Sequence, residues 1–232
     1  MGLYNRDYAR ENASAFGTYA KSDAQIVSFV KETYKLFAAS MMAGAVGAYV
    51  GVPMAGTIAA NFFPLLILEI GLLIGLHFVK HKPGINLMVM FGFVFMTGLM
   101  LAPLLSRTLG MSGGGTIVGN AFAMTSLIFG AMSFYAIKTT KDFSGYGKPL
   151  MIAMIVIFVF SIINIFMGSP LMAVVISGAV VILFSIMVTY DTQNIIRGAY
   201  ETPIDGAIAL YLDFLNIFTA LLQLFGIFGK DE

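Results

Sequence analysis

Apolar and polar residues alternate along this chain in long blocks. Seven apolar stretches are separated by short segments that hold most of the charged residues. Each stretch is close to the ~20 residues that a helix needs to cross a bilayer. The pattern predicts an all-α fold, a polytopic membrane protein with a bundle of seven transmembrane helices. The predicted helices cover residues 34–52, 57–79, 86–105, 116–137, 149–167, 171–190 and 207–228.

The composition supports a membrane protein and excludes several other classes. Hydrophobic residues make up 59% of the chain and charged residues 11%, and the mean hydropathy is +0.89. A soluble domain carries roughly 25% charged residues. The net charge of +1 argues against nucleic acid as a partner. Because the chain contains no Cys, it has no disulfide, thiol nucleophile or Cys metal site.

The positive charges predict an orientation. We divide the chain into a polar N-terminal tail, residues 1–33, and a seven-helix transmembrane domain, residues 34–229. With the tail inside, eleven of the 13 Lys and Arg residues lie on the inner side, and only Arg107 and Lys230 lie outside. Because Lys and Arg are enriched in cytoplasmic loops, the tail is predicted to be cytoplasmic in a cell membrane. It either lies near the membrane surface or docks a partner protein.

Glycines recur at helix-packing spacing in two predicted helices. Gly44, Gly47 and Gly51 lie in the first helix, and Gly71 and Gly75 lie in the second. Small residues let helix backbones approach closely in lipid. The pattern therefore predicts close helix contacts and carries no chemistry of its own.

Two acidic residues lie in or beside the last two apolar stretches. Asp191 directly follows the stretch 171–190, and Asp213 lies inside the next one. A charged side chain at the bilayer centre costs at least ~2.5 kcal/mol, so such an acid indicates function. On the predicted topology Asp191 ends the sixth helix on the inner side, and Asp213 lies roughly 9 Å deep in the seventh. The two carboxyls are expected to meet, with Asn216 on the same face as Asp213.

A pair of this kind is expected to sense pH and to attract cations. Two carboxyls at low dielectric cannot both ionise cheaply, so they share a proton and repel when both ionise. Ca²⁺ takes about six to eight oxygen ligands, and two carboxylates supply at most four. Calcium binding by Asp191 and Asp213 is therefore predicted to be weak unless waters, backbone carbonyls or Asp205 assist. The alternative is that Asp191 faces the cytoplasm and Asp213 makes a structural hydrogen bond.

Two other polar positions leave alternatives open. Glu69 lies in the middle of the second predicted helix. It is either a protonated carboxyl bonded to a neighbouring helix or part of an ion or proton path. His77 and His81 have the i, i+4 spacing of a metal-chelating pair, but no third ligand is near in sequence. An ordinary pair at the membrane interface explains the two histidines as well.

Three stretches resemble the transmembrane Bax inhibitor motif family, including its bacterial YccA-like branch. The resemblance runs from the first helix to the C-terminus. The stretches are Met96-Thr97-Gly98-Leu99 through Ala102-Pro103-Leu104-Leu105, then Ala123-Met124-Thr125-Ser126 through Phe134-Tyr135-Ala136 with Lys141-Asp142-Phe143-Ser144, and last Tyr190-Asp191-Thr192-Gln193 with Tyr211-Leu212-Asp213-Phe214-Leu215-Asn216.

The resemblance implies a fold and two possible functions. It implies a seven-helix bundle with the last helix at its centre, in a bacterial inner membrane. It implies a pH-sensitive calcium or cation leak channel with Asp191 and Asp213 as the sensor. It also implies an alternative, because some bacterial members modulate a membrane-bound AAA protease by direct contact. Some members place a basic latch residue in the second helix, whereas this chain has no Lys or Arg between Lys35 and Lys80.

Three functions therefore compete. The first is a leak for calcium or protons, gated by the aspartate pair. The second is a non-transporting protease modulator or stress-survival interaction protein. The third is an intramembrane aspartyl protease, which also pairs two aspartates. The Gly-x-Gly-Asp motif of those proteases is replaced here by Leu210-Tyr211-Leu212-Asp213, so the chain is predicted not to be an enzyme. No cofactor is predicted beyond weakly bound calcium.

Overall fold

A computed structural model describes residues 22–229, and over that range the chain is helical with no strands. Seven helices are long and apolar enough to cross a membrane, which confirms the predicted fold class. Short 3₁₀ turns at Val52–Met54 and Ser144–Tyr146 precede two of the helices. The α-helices are α1 Asp23–Gly51, α2 Ala55–Ala60, α3 Phe62–Val79, α4 Ile85–Leu109, α5 Gly114–Lys138, α6 Gly147–Met167, α7 Pro170–Ile196 and α8 Pro203–Phe228.

The first helix begins earlier than predicted, inside the range 1–33 that was expected to be a polar tail. Ser22 and Gln25 form a capping box: the Ser22 hydroxyl accepts from the Gln25 N–H at 3.4 Å, and the Gln25 side chain accepts from the Ser22 N–H at 2.8 Å. These bonds satisfy N–H groups that have no partner inside the helix. Helix α1 therefore starts at Asp23 rather than at residue 34, and residues 1–21 of the tail lie outside the described range.

The second predicted helix, residues 57–79, is divided at Asn61. Its first residues belong to α2, which continues the first span, and α3 begins at Phe62. The Asn61 amide donates to the carbonyl of Thr57 at 2.9 Å and covers the end of α2. Pro64 consequently lies in the first turn of α3, where its missing N–H costs no intrahelical bond.

Helix α8 is the centre of the bundle formed by the described residues. Fourteen of its 26 residues are buried, and it packs against α1, α4, α5 and α7. Helices α3 and α6, by contrast, bury one residue each, Leu76 and Leu150. This arrangement agrees with the central last helix that the family resemblance implies. Polar groups on the inner faces of α7 and α8 are thereby shielded from lipid.

Helices α1 and α4 touch along their backbones. A Cβ atom at Gly98 of α4 would collide with the carbonyl of Gly44, and one at Gly47 of α1 would collide with the carbonyl of Phe95. The predicted packing role of the glycines in α1 is therefore confirmed. Gly71 and Gly75 have no such neighbour within 4 Å, so the predicted close contact at these two positions is wrong.

Three connections lie together at one end of the bundle. They are residues 80–84 between α3 and α4, 139–146 between α5 and α6, and 197–202 between α7 and α8. Ion pairs between the connections show that they share one end, since Lys80 contacts Glu201 and Arg197 contacts Asp142. We call it the basic end, because it also carries Lys82, Lys138, Lys141 and Lys148.

Candidate functional site

Both predicted sensor residues are buried inside helices. Helix α7 continues to Ile196, so Asp191 lies within it and not at its end as the sequence predicted. Asp191 is 2% exposed and Asp213, on α8, is 1% exposed. Asp191 therefore does not face solvent.

The two carboxyl groups lie within hydrogen-bonding reach of each other. Ionised carboxylates only accept hydrogen bonds, so a bond between the two requires a proton on one of them. The Oδ2 atom of Asp213 is buried without a partner among the described residues. A buried polar atom left unpaired usually costs roughly 1 to 3 kcal/mol, which makes this oxygen an exception that calls for an explanation.

A tyrosine from the 197–202 loop forms a hydrogen bond to one member of the aspartate pair. The hydroxyl of Tyr200 donates to Oδ1 of Asp191 at 2.7 Å. Its ring packs near a buried cluster of Phe29, Ile195 and Leu210. The loop outside the membrane-spanning segments therefore reaches buried Asp191 through the side chain of Tyr200.

Ion pairs hold the 197–202 loop on two sides. On one side Glu201 contacts the Nζ atom of Lys80 at 2.6 Å and Nε2 of His81 at 2.7 Å. On the other side Arg197 contacts Asp142 at 2.6 Å. The hydrogen bond to Lys80, followed by that to His81, lowers the pKa of Glu201, and the bond from Glu201 raises the pKa of Lys80. The position of the loop against the bundle and the charged forms of these groups thus stabilise each other.

Hydroxyl groups and one amide join α7 to its neighbours beside the pair. Thr192 is fully buried, contacts the hydroxyl of Tyr34 on α1, and lies 3.4 Å from Oγ of Ser133 on α5. The Gln193 side chain accepts from the N–H of Phe143 at 2.9 Å and donates to the carbonyl of Lys141 at 2.9 Å. Gln193 thereby fixes the 139–146 connection against α7.

The other residues named from the sequence do not join the pair. Asp205 accepts from the N–H and hydroxyl of Thr202 in the capping box of α8, about 12 Å along the helix from Asp213. Asn216 donates to the carbonyl of Leu212 on its own helix at 2.7 Å. Glu69 is half-buried on α3 and forms no hydrogen bond to any described residue.

The acidic and imidazole side chains of the described residues do not form a cluster of metal ligands by themselves. No group of three or more His, Asp or Glu residues there is arranged to hold a metal ion. His81 contacts Glu201, whereas His77 stacks edge-on against Phe78, so the two histidines do not converge. Any cation at Asp191 and Asp213 needs further oxygen ligands from water or backbone carbonyls.

Sequence reasoning missed Tyr200, Glu201, Lys80 and Gln193. Opposite charges at Lys80 and Glu201, both in predicted connections on the inner side, were a signal for an ion pair. The polar run from Asp191 to Gln193 was a second signal, because it lies on a helix and its amide must find partners.

Comparisons with known proteins agree over nearly the whole chain. The family model described as inhibitor of apoptosis-promoting Bax1 matches residues 26–230. The chain is 46% identical over 232 residues to a protein of Helicobacter pylori, with 100% of both chains covered. It is 32% identical over 209 residues to a membrane protein of Vibrio cholerae, covering 88% of this chain and 91% of that one. It is 29% identical over 205 residues to the modulator of FtsH protease YccA of Escherichia coli, covering 87% and 91%.

Proposed function

This chain belongs to the Bax inhibitor family of membrane proteins, and on that premise we propose that it is a pH-sensitive cation leak for calcium or protons. The path is closed at the basic end, where Asp191, Asp213 and Tyr200 meet. The basic end faces the cytoplasm of a bacterial inner membrane, because Lys and Arg are enriched on that side.

The observation that carries the proposal is the buried carboxyl pair, with Oδ2 of Asp213 unpartnered. Acidic groups inside a membrane are expensive and are kept mainly for ion paths and proton relays. A structural bond between the carboxyls would account for the shared proton but not for the unpartnered Oδ2 of Asp213. An oxygen held without a partner is available to a passing cation or proton.

Protonation of the pair controls the contact between α7 and α8. With one proton shared, the carboxyls attract and hold the two helices together at Asp191 and Asp213. When both ionise, they repel each other and form an anionic site that attracts a cation. Raising the pH therefore loosens the contact and favours ion passage.

Calcium flux into proteoliposomes tests the proposal. Wild type is compared with Asp213→Asn from roughly pH 5 to roughly pH 8, a range in which shared protons are lost. We expect wild-type flux to rise with pH and the variant to lose this dependence. Glu69→Gln is the matched control, since it removes another acid from a spanning helix and should follow wild type. No flux at any pH from folded wild-type protein contradicts the leak, as does an unchanged profile in Asp213→Asn.

The second candidate is modulation of a membrane-bound AAA protease. It is favoured by the similarity to the Escherichia coli protein named as a modulator of FtsH protease. Contact through the N-terminal tail predicts that deleting residues 1–21 abolishes protease modulation. The deletion stops there because Ser22 caps α1. Protease modulation that is lost on this deletion but survives Asp213→Asn supports the modulator. Protease modulation that survives the deletion but is lost in Asp213→Asn supports the leak.

A further inference from the structure

A groove opens at the basic end between the start of α6 and the last turns of α7. Its volume is about 520 Å³. It lies beside the 3₁₀ turn Ser144–Tyr146. Among the described residues, α6 packs mainly against α7 and that turn, so its other faces carry no closely packed helix. The groove therefore opens towards lipid. Its side chains are Ser144, Lys148 and Tyr190 at the polar end, and Met151, Met154 and Met187 along the apolar wall.

The polar end of the groove holds two groups without partners. Lys148 is exposed, and Tyr190 is half-buried. Neither side chain forms a hydrogen bond or ion pair with any residue that the structure describes. Gly147 lets the Tyr190 hydroxyl approach the first turn of α6, since a Cβ atom there would lie 2.7 Å from the hydroxyl oxygen. A cation and a hydroxyl donor are thus held at one end of an apolar groove.

The surrounding charge favours an anion. The ends of α5 and α6 and the connection between them carry Lys138, Lys141 and Lys148. The one acid there, Asp142, is matched by Arg197 at 2.6 Å, so its charge does not compensate the lysines. Basic pockets between transmembrane helices on the cytoplasmic side suit the head groups of anionic lipids.

The wall of the groove suits an acyl chain. Met151 is 56% exposed, and Met154 and Met187 are partly buried behind it. Methionine is unbranched and flexible, and it adapts to a chain of irregular shape. In a bilayer the molecules that present a phosphate at the interface and an acyl chain below it are phospholipids.

We propose that this groove binds one anionic phospholipid. Its phosphate lies between Lys148 and the hydroxyl of Tyr190, and one acyl chain runs along Met151, Met154 and Met187. The groove lies next to the aspartate pair, because Tyr190, which lines the groove, directly precedes Asp191 on α7. The proposal does not depend on ion flux and stands whether the chain is a leak or a protease modulator.

Binding of a fluorescent phosphatidylglycerol to the full chain in neutral detergent tests the proposal. We expect phosphatidylglycerol to bind at least ten-fold more tightly than the matching phosphatidylcholine. Lys148→Gln should weaken phosphatidylglycerol binding by about five-fold or more, an ordinary loss for one charged contact to a phosphate. Lys82→Gln is the matched control, an exposed lysine of the same end that does not line the groove, and it should bind as wild type does.

Two further arms separate the sources of the anion and guard against misfolding. Met154→Trp fills the groove and should reduce binding of both lipids, with helical content by circular dichroism showing that the variant is folded. Glycerol phosphate, the soluble head group alone, should fail to displace the fluorescent lipid at concentrations at which phosphatidylglycerol saturates the site. Equal loss in Lys148→Gln and Lys82→Gln, or no loss in both Lys148→Gln and Met154→Trp, overturns the site. Full competition by glycerol phosphate overturns the acyl contact.

Discussion

The hydroxyl of Tyr200 donates a 2.7 Å hydrogen bond to Oδ1 of Asp191. This bond joins a loop outside the membrane-spanning segments to a carboxyl that is 2% exposed. Burial, and after it the carboxyl of Asp191, raises the pKa of Tyr200, so the hydroxyl keeps its proton and remains a donor. Movement of the 197–202 loop away from the bundle must therefore leave Asp191 without this partner.

Tyr200→Phe removes the donor and keeps the ring. We expect the free energy of unfolding to fall by roughly 1 to 3 kcal/mol, because a buried acceptor loses its partner. On the proposed leak, ion flux at neutral pH should also rise, because the loop is held less firmly. Unfolding in mixed detergent micelles and proteoliposome flux measure the two effects.

Tyr49→Phe is the control for this substitution. It removes the hydroxyl of an exposed tyrosine on α1 that forms no hydrogen bond to a described residue. Its stability and flux should match wild type. Equal changes in the two variants would mean that the bond to Asp191 has no special role.

Glu201→Gln weakens the contacts that hold the loop to Lys80 and His81. We expect flux at neutral pH to rise by about two- to five-fold, the size of effect that one exposed ion pair can produce. Lys80→Gln should act in the same direction and more strongly, because buried Lys80 contacts Glu201 at 2.6 Å and also Asp205 at 3.6 Å.

Glu32→Gln is the control for the loop pair, because Glu32 is an exposed acid on α1 that forms no ion pair with a described residue. It should leave flux unchanged. If Glu201→Gln also leaves flux unchanged while Tyr200→Phe raises it, the loop is held by Tyr200 and not by its ion pairs.

The sequence predicted the transmembrane helices well because their signal is local. Each apolar block must be helical to satisfy its backbone in lipid. The start of α1 was missed because it depends on a side-chain cap at Ser22, and the break at Asn61 was missed because an apolar run hides it. Both helix boundaries depend on local hydrogen bonds, which a hydropathy pattern does not report.

The sequence predicted the aspartate pair from the cost of burying acids, but not what surrounds it. Asp205 lies close to Asp213 in sequence, yet capping α8 uses its carboxyl. Tyr200 reaches Asp191 only because the 197–202 loop folds back over the end of α7. The position of this loop depends on partners from two other connections, 80–84 and 139–146, and no periodic pattern encodes it.

Acid should release the 197–202 loop. The pKa of Glu201 is lowered by Lys80 and then by His81. A group with a lowered pKa stabilises the folded arrangement fully above its ordinary value, ~4.3 for Glu, and loses that contribution as the pH falls through the lowered value. We therefore expect the loop to stay in place at neutral pH and to detach only in acid, below the ordinary pKa of a Glu carboxyl.

The absence of Cys allows a direct measurement of this release. Spin labels at Ala199→Cys and Lys82→Cys, both exposed, report the distance between two connections of the basic end. The distance should be short and narrow at neutral pH and broaden in acid. In Glu201→Gln it should be broad at both pH values. A narrow distance in acid, from protein with unchanged helical content, contradicts the prediction.

Gly98→Ala tests the contact between α4 and α1. Its new Cβ would meet the carbonyl of Gly44, a backbone atom that cannot rotate away, so the two helices must separate. Overpacking of this kind costs typically about 1 to 3 kcal/mol of unfolding free energy. Gly92→Ala is a matched control on the same helix, because a Cβ there meets nothing within 4 Å. Alanine is the better helix former, so the control should be unchanged or stabilised by about 0.5 to 1 kcal/mol. Opposite signs for the two alanines, measured by unfolding in mixed micelles, establish that backbone contact rather than helix propensity keeps glycine at position 98.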